Sequence, residues 1–452
     1  MTNSVLNWIK TILFERFGLN WHLTHSSEGL RLAVDGGRGA IVFDQLEDSL
    51  TQAHSFQAFT HWDAECEGWK SILGKPLPAP GVASLSNPLI QRRGVNTYVH
   101  YDILGLTFWM LARVEEINRL DLDNHERFPA ASSHAYKHGY LGRPVVDEWL
   151  HLLGQVIERQ WPAVKLKRHN FRIQVSHDVD EPSLYAFKSW KTIGRIMAGH
   201  LLKRGDPKAF FNAPYVKIAT RDRLIKQDPY NTFDWLMNIS EEHGLRSAFY
   251  FMCGRTDPAR DADYAIEHPA IRNLLSNIHK RGHEIGLHPS YGTYRRPELL
   301  KAEAERLKRV CGEEGVVGNK WGGRMHYLRW EQPTTMRAWA DAGMDYDSTL
   351  GYADHPGFRC GTCYEYPAFD AVRQEQLRLR IRPLVVMECS VIDKAYAGLG
   401  VTEDAANLIN TLKERCVSVN GVFALLWHNS YLQTHKLKNL YLGLFNGNYQ
   451  HA

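Results

Sequence analysis

Over the last two thirds of the chain, short apolar runs recur at residues 171–175, 247–252, 284–287, 316–317, 344–346, 383–387 and 422–427, and the stretches between them space their apolar positions as helices do. Strands alternating with helices predict a parallel sheet with helical crossovers, and about seven such units suit a closed or nearly closed barrel. The first third reads differently. Residues 6–17 carry helical apolar spacing interrupted by Lys10, Glu15 and Arg16, which predicts an amphipathic helix, and residues 101–116 and 145–153 repeat that spacing. A polar stretch at residues 161–170 separates the two textures. The chain of 452 residues is therefore expected to divide into an α+β domain over 1–165 and a (β/α) barrel over 166–452.

The residues that end the apolar runs point to chemistry. Asp178 and Asp180 come after the first run, His288 ends the third, Arg324 comes after the fourth, Asp347 and Ser348 close the fifth, Glu388 ends the sixth and His428 the seventh. In a parallel barrel the carboxyl ends of the strands share one mouth, so these distant side chains are expected to converge on a single cavity. Asp178 and Asp180 stand two apart and share a face of an extended chain, where one could hold a divalent metal and the other act as a base. His283 and His288 stand five apart and fall on opposite faces, His288 at the mouth and His283 in packing at the amino end. Arg324 could clamp a carboxylate and keep it ionised, and Asp347 and Ser348 are supporting or substrate-contacting groups. His428 emerges from an apolar run, a setting that tunes an imidazole for proton transfer near neutrality.

Composition narrows the classes. Hydrophobic residues make up 44% and charged residues 23%, a folded protein's balance, and a net charge of +4 lacks the basic excess of a nucleic-acid binder. The 7 cysteines are scattered and odd in number, which fits reduced thiols, and the Cys360-x-x-Cys363 pair reads as a loop. No apolar stretch of spanning length occurs and residues 6–17 lack the apolar core of a signal peptide, so the expected location is cytoplasmic, with peripheral contact at the inner membrane face left open. Residues 188–228 hold ten Lys or Arg against three Asp. Such a segment could face an anionic lipid surface or a phosphorylated carrier, or be a solvated helical face.

Taken together, Ser176-His177-Asp178-Val179-Asp180, His288-Pro289-Ser290-Tyr291, Arg324-Met325-His326-Tyr327, Asp347-Ser348 and Leu426-Trp427-His428 resemble, in order, the motifs of the polysaccharide deacetylase (NodB-homology) superfamily, carbohydrate esterase family 4. The resemblance spans residues from about 170 to 430. It implies a distorted (β/α) barrel and the removal of N- or O-acetyl groups from sugars with a divalent metal, usually zinc. It implies Asp178 as catalytic base, Asp180 and His288 as metal ligands, Arg324 as the group orienting the base, and His428 as general acid. The family's second metal histidine is replaced here by Tyr291, and its adjacent Asp-Asp is spread to Asp178 and Asp180. His177 is the residue offered to complete the metal site. Tyr291, Tyr327, Asp347, Ser348 and Glu388 are the expected substrate contacts. The segments Leu111-Ala-Arg-Val-Glu-Glu116 and Asn124-His-Glu-Arg-Phe128 look like the uncharacterised domain that precedes the barrel in bacterial proteins tied to surface-polysaccharide synthesis.

The resulting expectation is a hydrolase that deacetylates a sugar in a surface-polysaccharide precursor, with zinc as cofactor and an acetylated sugar as partner. Two competing readings accompany it. One is an amidohydrolase that uses Asp178 and His428 without metal, and the other is a non-catalytic glycan-binding or assembly protein.

Overall fold

The structure, a computed structural model, describes residues 1–445 apart from Leu46 and Asn319, so residues 446–452 of the expected barrel range lie outside the described residues. The chain opens with the helix Asn3–Phe17, which buries Trp8, Ile9, Ile12 and Leu13. It stops at Gly18, whose φ of +77° lets its N–H reach the Phe14 carbonyl, a left-handed cap that costs glycine little. Strands β1 (Trp21–Ser26), β2 (Gly29–Val34), β3 (Ile41–Phe43), β6 (Ile90–Arg93) and β7 (Asn96–Val99) form a five-stranded sheet in the order β1-β2-β3-β7-β6, and β4 (Phe59–Trp62) pairs with β5 (Leu77–Pro80). The expected helices appear as Ile103–Leu111 and Val145–Gln160.

Nine further strands make a second sheet: β8 (Arg172–Val179), β9 (Ala248–Phe251), β10 (Glu284–Leu287), β11 (Gly322–Gly323), β12 (Tyr346–Asp347), β13 (Tyr366–Asp370), β14 (Glu375–Ile381), β15 (Val386–Met387) and β16 (Val422–Leu426), in the order β13-β14-β12-β11-β10-β9-β8-β16-β15. All neighbouring pairs are parallel except β13 with β14. Residues 375–387 curl the sheet. They pair with β12 through β14, the Arg382 and Leu384 amides bond to the Asp347 and Leu350 carbonyls at 2.9 and 3.0 Å, and the Val385 amide then bonds to Ala424 of β16 at 3.1 Å. The architecture is thus mixed α/β with a curled parallel sheet. The run at 316–317 is not a strand. It lies in a turn after the helix Pro297–Glu313 with Val317 exposed, and its place in the sheet is taken by Gly322–Gly323. The hairpin β13–β14 has no counterpart among the expected strands.

Inside the curl, bulk and absence of bulk are matched. Tyr250 and Tyr346 fill the centre, and a Cβ on Gly286 or Gly322 would come within 2.5 Å of the first or 2.4 Å of the second, so glycine is what permits the filling. At the amino ends, the Tyr346 hydroxyl donates to Glu284 at 3.1 Å, Arg382 stacks on the Tyr346 ring at 3.5 Å, and Glu365 accepts from Arg380 at 2.8 Å and Arg382 at 2.7 Å.

One hydrophobic core runs through both portions of the chain, from Trp8 and Trp149 to Val175 and Trp427. Polar ties cross the same contact. The Trp8 indole donates to the Pro367 carbonyl at 2.9 Å, and buried Glu116 accepts from Arg113 at 2.7 Å and from Arg359 at 2.6 Å. Removing one member of such a buried ionic cluster strands the others without a partner, a loss of about 3–5 kcal/mol.

Candidate active site

The carboxyl ends of the strands carry the chemistry. On β8 the two-residue period turns Ser176, Asp178 and Asp180 one way and His177 the other. His177 packs against Phe249 and Tyr441, gives its Nδ1 to the Trp427 carbonyl at 2.7 Å, and is driven by burial down to about 3. The expected metal role of His177 is corrected accordingly, since its ring is on the face of β8 that meets the helices.

Arg324 comes directly after β11 and is buried to 1% exposure. Its Nη1 donates to Asp178 Oδ1 at 2.7 Å, Nη2 to Ser176 Oγ at 2.9 Å and Ser348 Oγ at 3.1 Å, and Nε to the Ser348 carbonyl at 3.0 Å. All three nitrogens of the planar fork are engaged, which fixes the Asp178 carboxylate in one orientation.

His288 and His326 stand beside Asp180. His288 Nδ1 lies 2.7 Å from the Arg324 carbonyl oxygen, which can only accept, so Nδ1 carries the proton and Nε2 presents a lone pair. His326 Nδ1 lies 3.3 Å from Asp261 Oδ1, which orients its Nε2 in the same way. The two Nε2 atoms are 3.1 and 3.7 Å from Asp180 Oδ1, a buried oxygen with no hydrogen-bond partner. Two imidazole lone pairs and a carboxylate oxygen within 4.8 Å of one another are acceptors facing acceptors, an arrangement that a divalent cation satisfies. This donor set fits zinc, and Asp180, His288 and His326 are the residues that would hold it.

His428, two residues past β16, gives Nδ1 to Glu388 Oε1 at 2.5 Å, and the same oxygen accepts its backbone N–H at 2.9 Å. Burial alone would lower the His428 pKa, but the Glu388 carboxylate outweighs it and holds the imidazole well above its ordinary value. Cys389 Sγ is 3.8 Å from the same Nδ1. Because Nδ1 is committed to Glu388, the free nitrogen is Nε2, 3.6 Å from Asp180 Oδ2.

Asp178, Asp180, His288, His326, Tyr327 and His428 line one cavity of about 440 Å³. Of the expected substrate contacts, Tyr327 is the one on this wall. Tyr291 is turned to the rim, its hydroxyl 3.1 Å from His125 Nδ1 and its ring under Arg260 and Arg329 at 4.6 and 4.1 Å. Asp347 is fully buried below the cavity, accepting from the Thr349 amide at 2.8 Å and Trp330 Nε1 at 3.2 Å, and burial pushes its carboxyl up to about 6. Ser348 holds Arg324, and Glu388 holds His428. Asp347, Ser348 and Glu388 therefore shape the site from behind, and Tyr291 stands at its edge. His326 is the site residue missing from the expected set. Its signal is a second histidine beyond His288, placed in the Arg324-Met-His-Tyr327 turn two residues past the arginine expected at the mouth. Arg127, from the first third of the chain, lines the cavity as well and donates to the Tyr327 carbonyl at 2.8 Å.

Residues 2–162 match the model of a family of unknown function, DUF7033. No curated protein matches the chain. Among solved structures, the chain is similar to a protein described as a polysaccharide deacetylase from Mycobacterium smegmatis, with 17% identity and a TM-score of 0.38 over 62% of this chain and 86% of that one. Similarity to the Puue allantoinase is at 12% identity and a TM-score of 0.36, covering 63% and 84%. For a protein described as a polysaccharide deacetylase from Pseudomonas aeruginosa PAO1 the identity is 12% and the TM-score 0.34, covering 61% and 84%. Among the described residues no helix is long and apolar enough to cross a membrane.

Proposed function

We propose that the cavity hydrolyses an N- or O-acetyl group of a sugar used in surface-polysaccharide synthesis. The observation that carries this reading is the joint presence of a carboxylate pinned by Arg324, an imidazole held by Glu388, and the acceptor trio Asp180, His288 and His326, all on one cavity. Asp180, His288 and His326 would hold a divalent ion, which would supply Lewis acidity. Asp178 accepts a proton from the attacking water as its oxygen bonds to the acyl carbon. His428 Nε2 delivers a proton to the departing nitrogen or oxygen as the acyl bond breaks, leaving acetate and a free amine or hydroxyl. Glu388 keeps the ring aimed and stabilises its charged form, and Arg324 keeps Asp178 from turning away from the cavity.

The test pairs metal analysis with acetate release. Elemental mass spectrometry of the purified chain is expected to find about one zinc-class ion per molecule, lost in His326→Ala and kept in His177→Ala. Acetate release from a panel of N- and O-acetylated sugars is expected to follow the ion. Absence of metal after reloading with zinc would sink the metal-assisted form, and acetate release that persists through chelation would establish the metal-free amidohydrolase in its place.

A further inference from the structure

The basic segment after β8 folds as a helical hairpin, Trp190–Arg204 and Pro207–Ala219, with a small core of its own formed by Tyr185, Ile193, Ala213 and Val216, separate from the main core. Its inner face is satisfied. Its outer face is not, since Trp190, Leu201, Leu202, Phe211, Tyr215 and Ile218 are exposed, Leu202 at 82% and Phe211 at 70%. Phe211, Tyr215 and Ile218 follow the spacing of a single helix stripe, so the exposure is patterned rather than scattered. Around these side chains, Arg195, Lys203, Arg204, Lys208, Arg221 and Arg223 are exposed and form no ion pair among the described residues. The root of the hairpin reaches the cavity: Lys188 lines it and pairs with Asp263 at 3.0 Å.

We propose that this hairpin docks the protein on an anionic lipid surface, its apolar side chains entering the headgroup layer and its basic side chains pairing with lipid phosphates. Exposed Trp, Tyr, Leu and Phe interleaved with Lys and Arg are what an interfacial helix needs. A second copy of the chain fits less well, because six basic residues against one acidic one over residues 190–219 of each hairpin would repel their counterparts. A nucleic acid would use the charges but leave the apolar stripe in water. Docking would bring the cavity close to a lipid-borne substrate, but the inference stands without the hydrolase reading.

Vesicle co-sedimentation of the full chain decides it, with phosphatidylcholine alone against phosphatidylcholine containing about one third phosphatidylglycerol. The expected result is binding at least about tenfold stronger to the anionic vesicles, since each basic residue near the surface is attracted to the anionic headgroups. Leu202→Ser with Phe211→Ser, and separately Lys203→Glu with Arg204→Glu, should each weaken binding about tenfold or more with the thermal midpoint unchanged, since the replaced side chains are exposed. Equal binding to both vesicle types, no binding to either, or variants that bind like the parent would overturn the proposal. So would light scattering that shows a dimer dispersed by the Leu202 and Phe211 substitutions, which would make a second copy the occupant.

Discussion

The two ends of the curled sheet solve opposite problems with the same residue types. At the amino ends, carboxylates meet guanidinium groups and hydroxyls: Glu365 with Arg380 and Arg382, Glu15 with Arg380, Glu284 with Tyr346. At the carboxyl ends, acceptors are turned toward acceptors, with Asp180 Oδ1 facing two imidazole nitrogens and Glu388 Oε2 buried without a partner. Such unmatched buried groups cost stability wherever they occur, and these two stand beside the cavity, where a ligand or a proton would complete them. Matched charge at the other end has structure as its sufficient explanation.

The contrast can be broken most severely at His428. His428→Ala is expected to lower kcat roughly 10²–10⁴-fold on a substrate found by acetate release, with bound zinc unchanged; a loss under tenfold in a folded variant would take the proton-donor role away. A smaller effect is expected one layer out. Asp261→Asn removes the carboxylate that sets the His326 tautomer and should weaken zinc binding about 10–100-fold, read by competition with a chromogenic chelator. The smallest change is expected at the far end, where Arg382→Met breaks the partly buried pairs with Glu365 and Glu284. Denaturant unfolding should show a loss of roughly 1–2 kcal/mol, with zinc affinity as in the parent. If Arg382→Met disturbs zinc binding as much as Asp261→Asn does, the two ends are not separable.

Much of this is legible in the chain because strand period and strand order carry it. Asp178, Asp180, His288, Arg324 and His428 are expected at one mouth from their positions at the ends of apolar runs; the four other than Arg324 line one cavity, and Arg324 is buried behind it, holding Asp178. The metal role expected of His177 neglects the same period that separates His283 from His288: an odd neighbour of Asp178 and Asp180 must face the other way. The strand at Gly322–Gly323 leaves no apolar signal, because Tyr346 occupies the space a side chain at 322 would take and the Leu287 backbone the space of one at 323. A valine pair outside any strand, Val316 buried and Val317 exposed, looks more like a strand than the real one. His326 reaches Asp180 because the turn at Tyr327 adopts a left-handed conformation, φ 59°, and is braced by Arg127, a residue 200 positions away. Spacing along the chain holds no record of such a brace. Asp347, Ser348 and Glu388 are expected to touch substrate because they end strands, yet Asp347 spends its hydrogen bonds on Thr349 and Trp330, Ser348 bonds Arg324, and Glu388 holds His428, which does the facing.

The contact of Trp8 with Pro367 and Phe369 bears on how the chain is made. The partners Trp8 and Pro367 are 359 residues apart, and the indole sits 5.0 Å from the Phe369 ring. At about 5–20 residues per second of synthesis, that side of the first helix waits on the order of 20–70 s for its cover to leave the ribosome. During that interval the nascent chain displays an apolar surface that only its own later part can close, which makes the opening helix a natural handhold for a chaperone and makes completion of the second sheet the event that releases it.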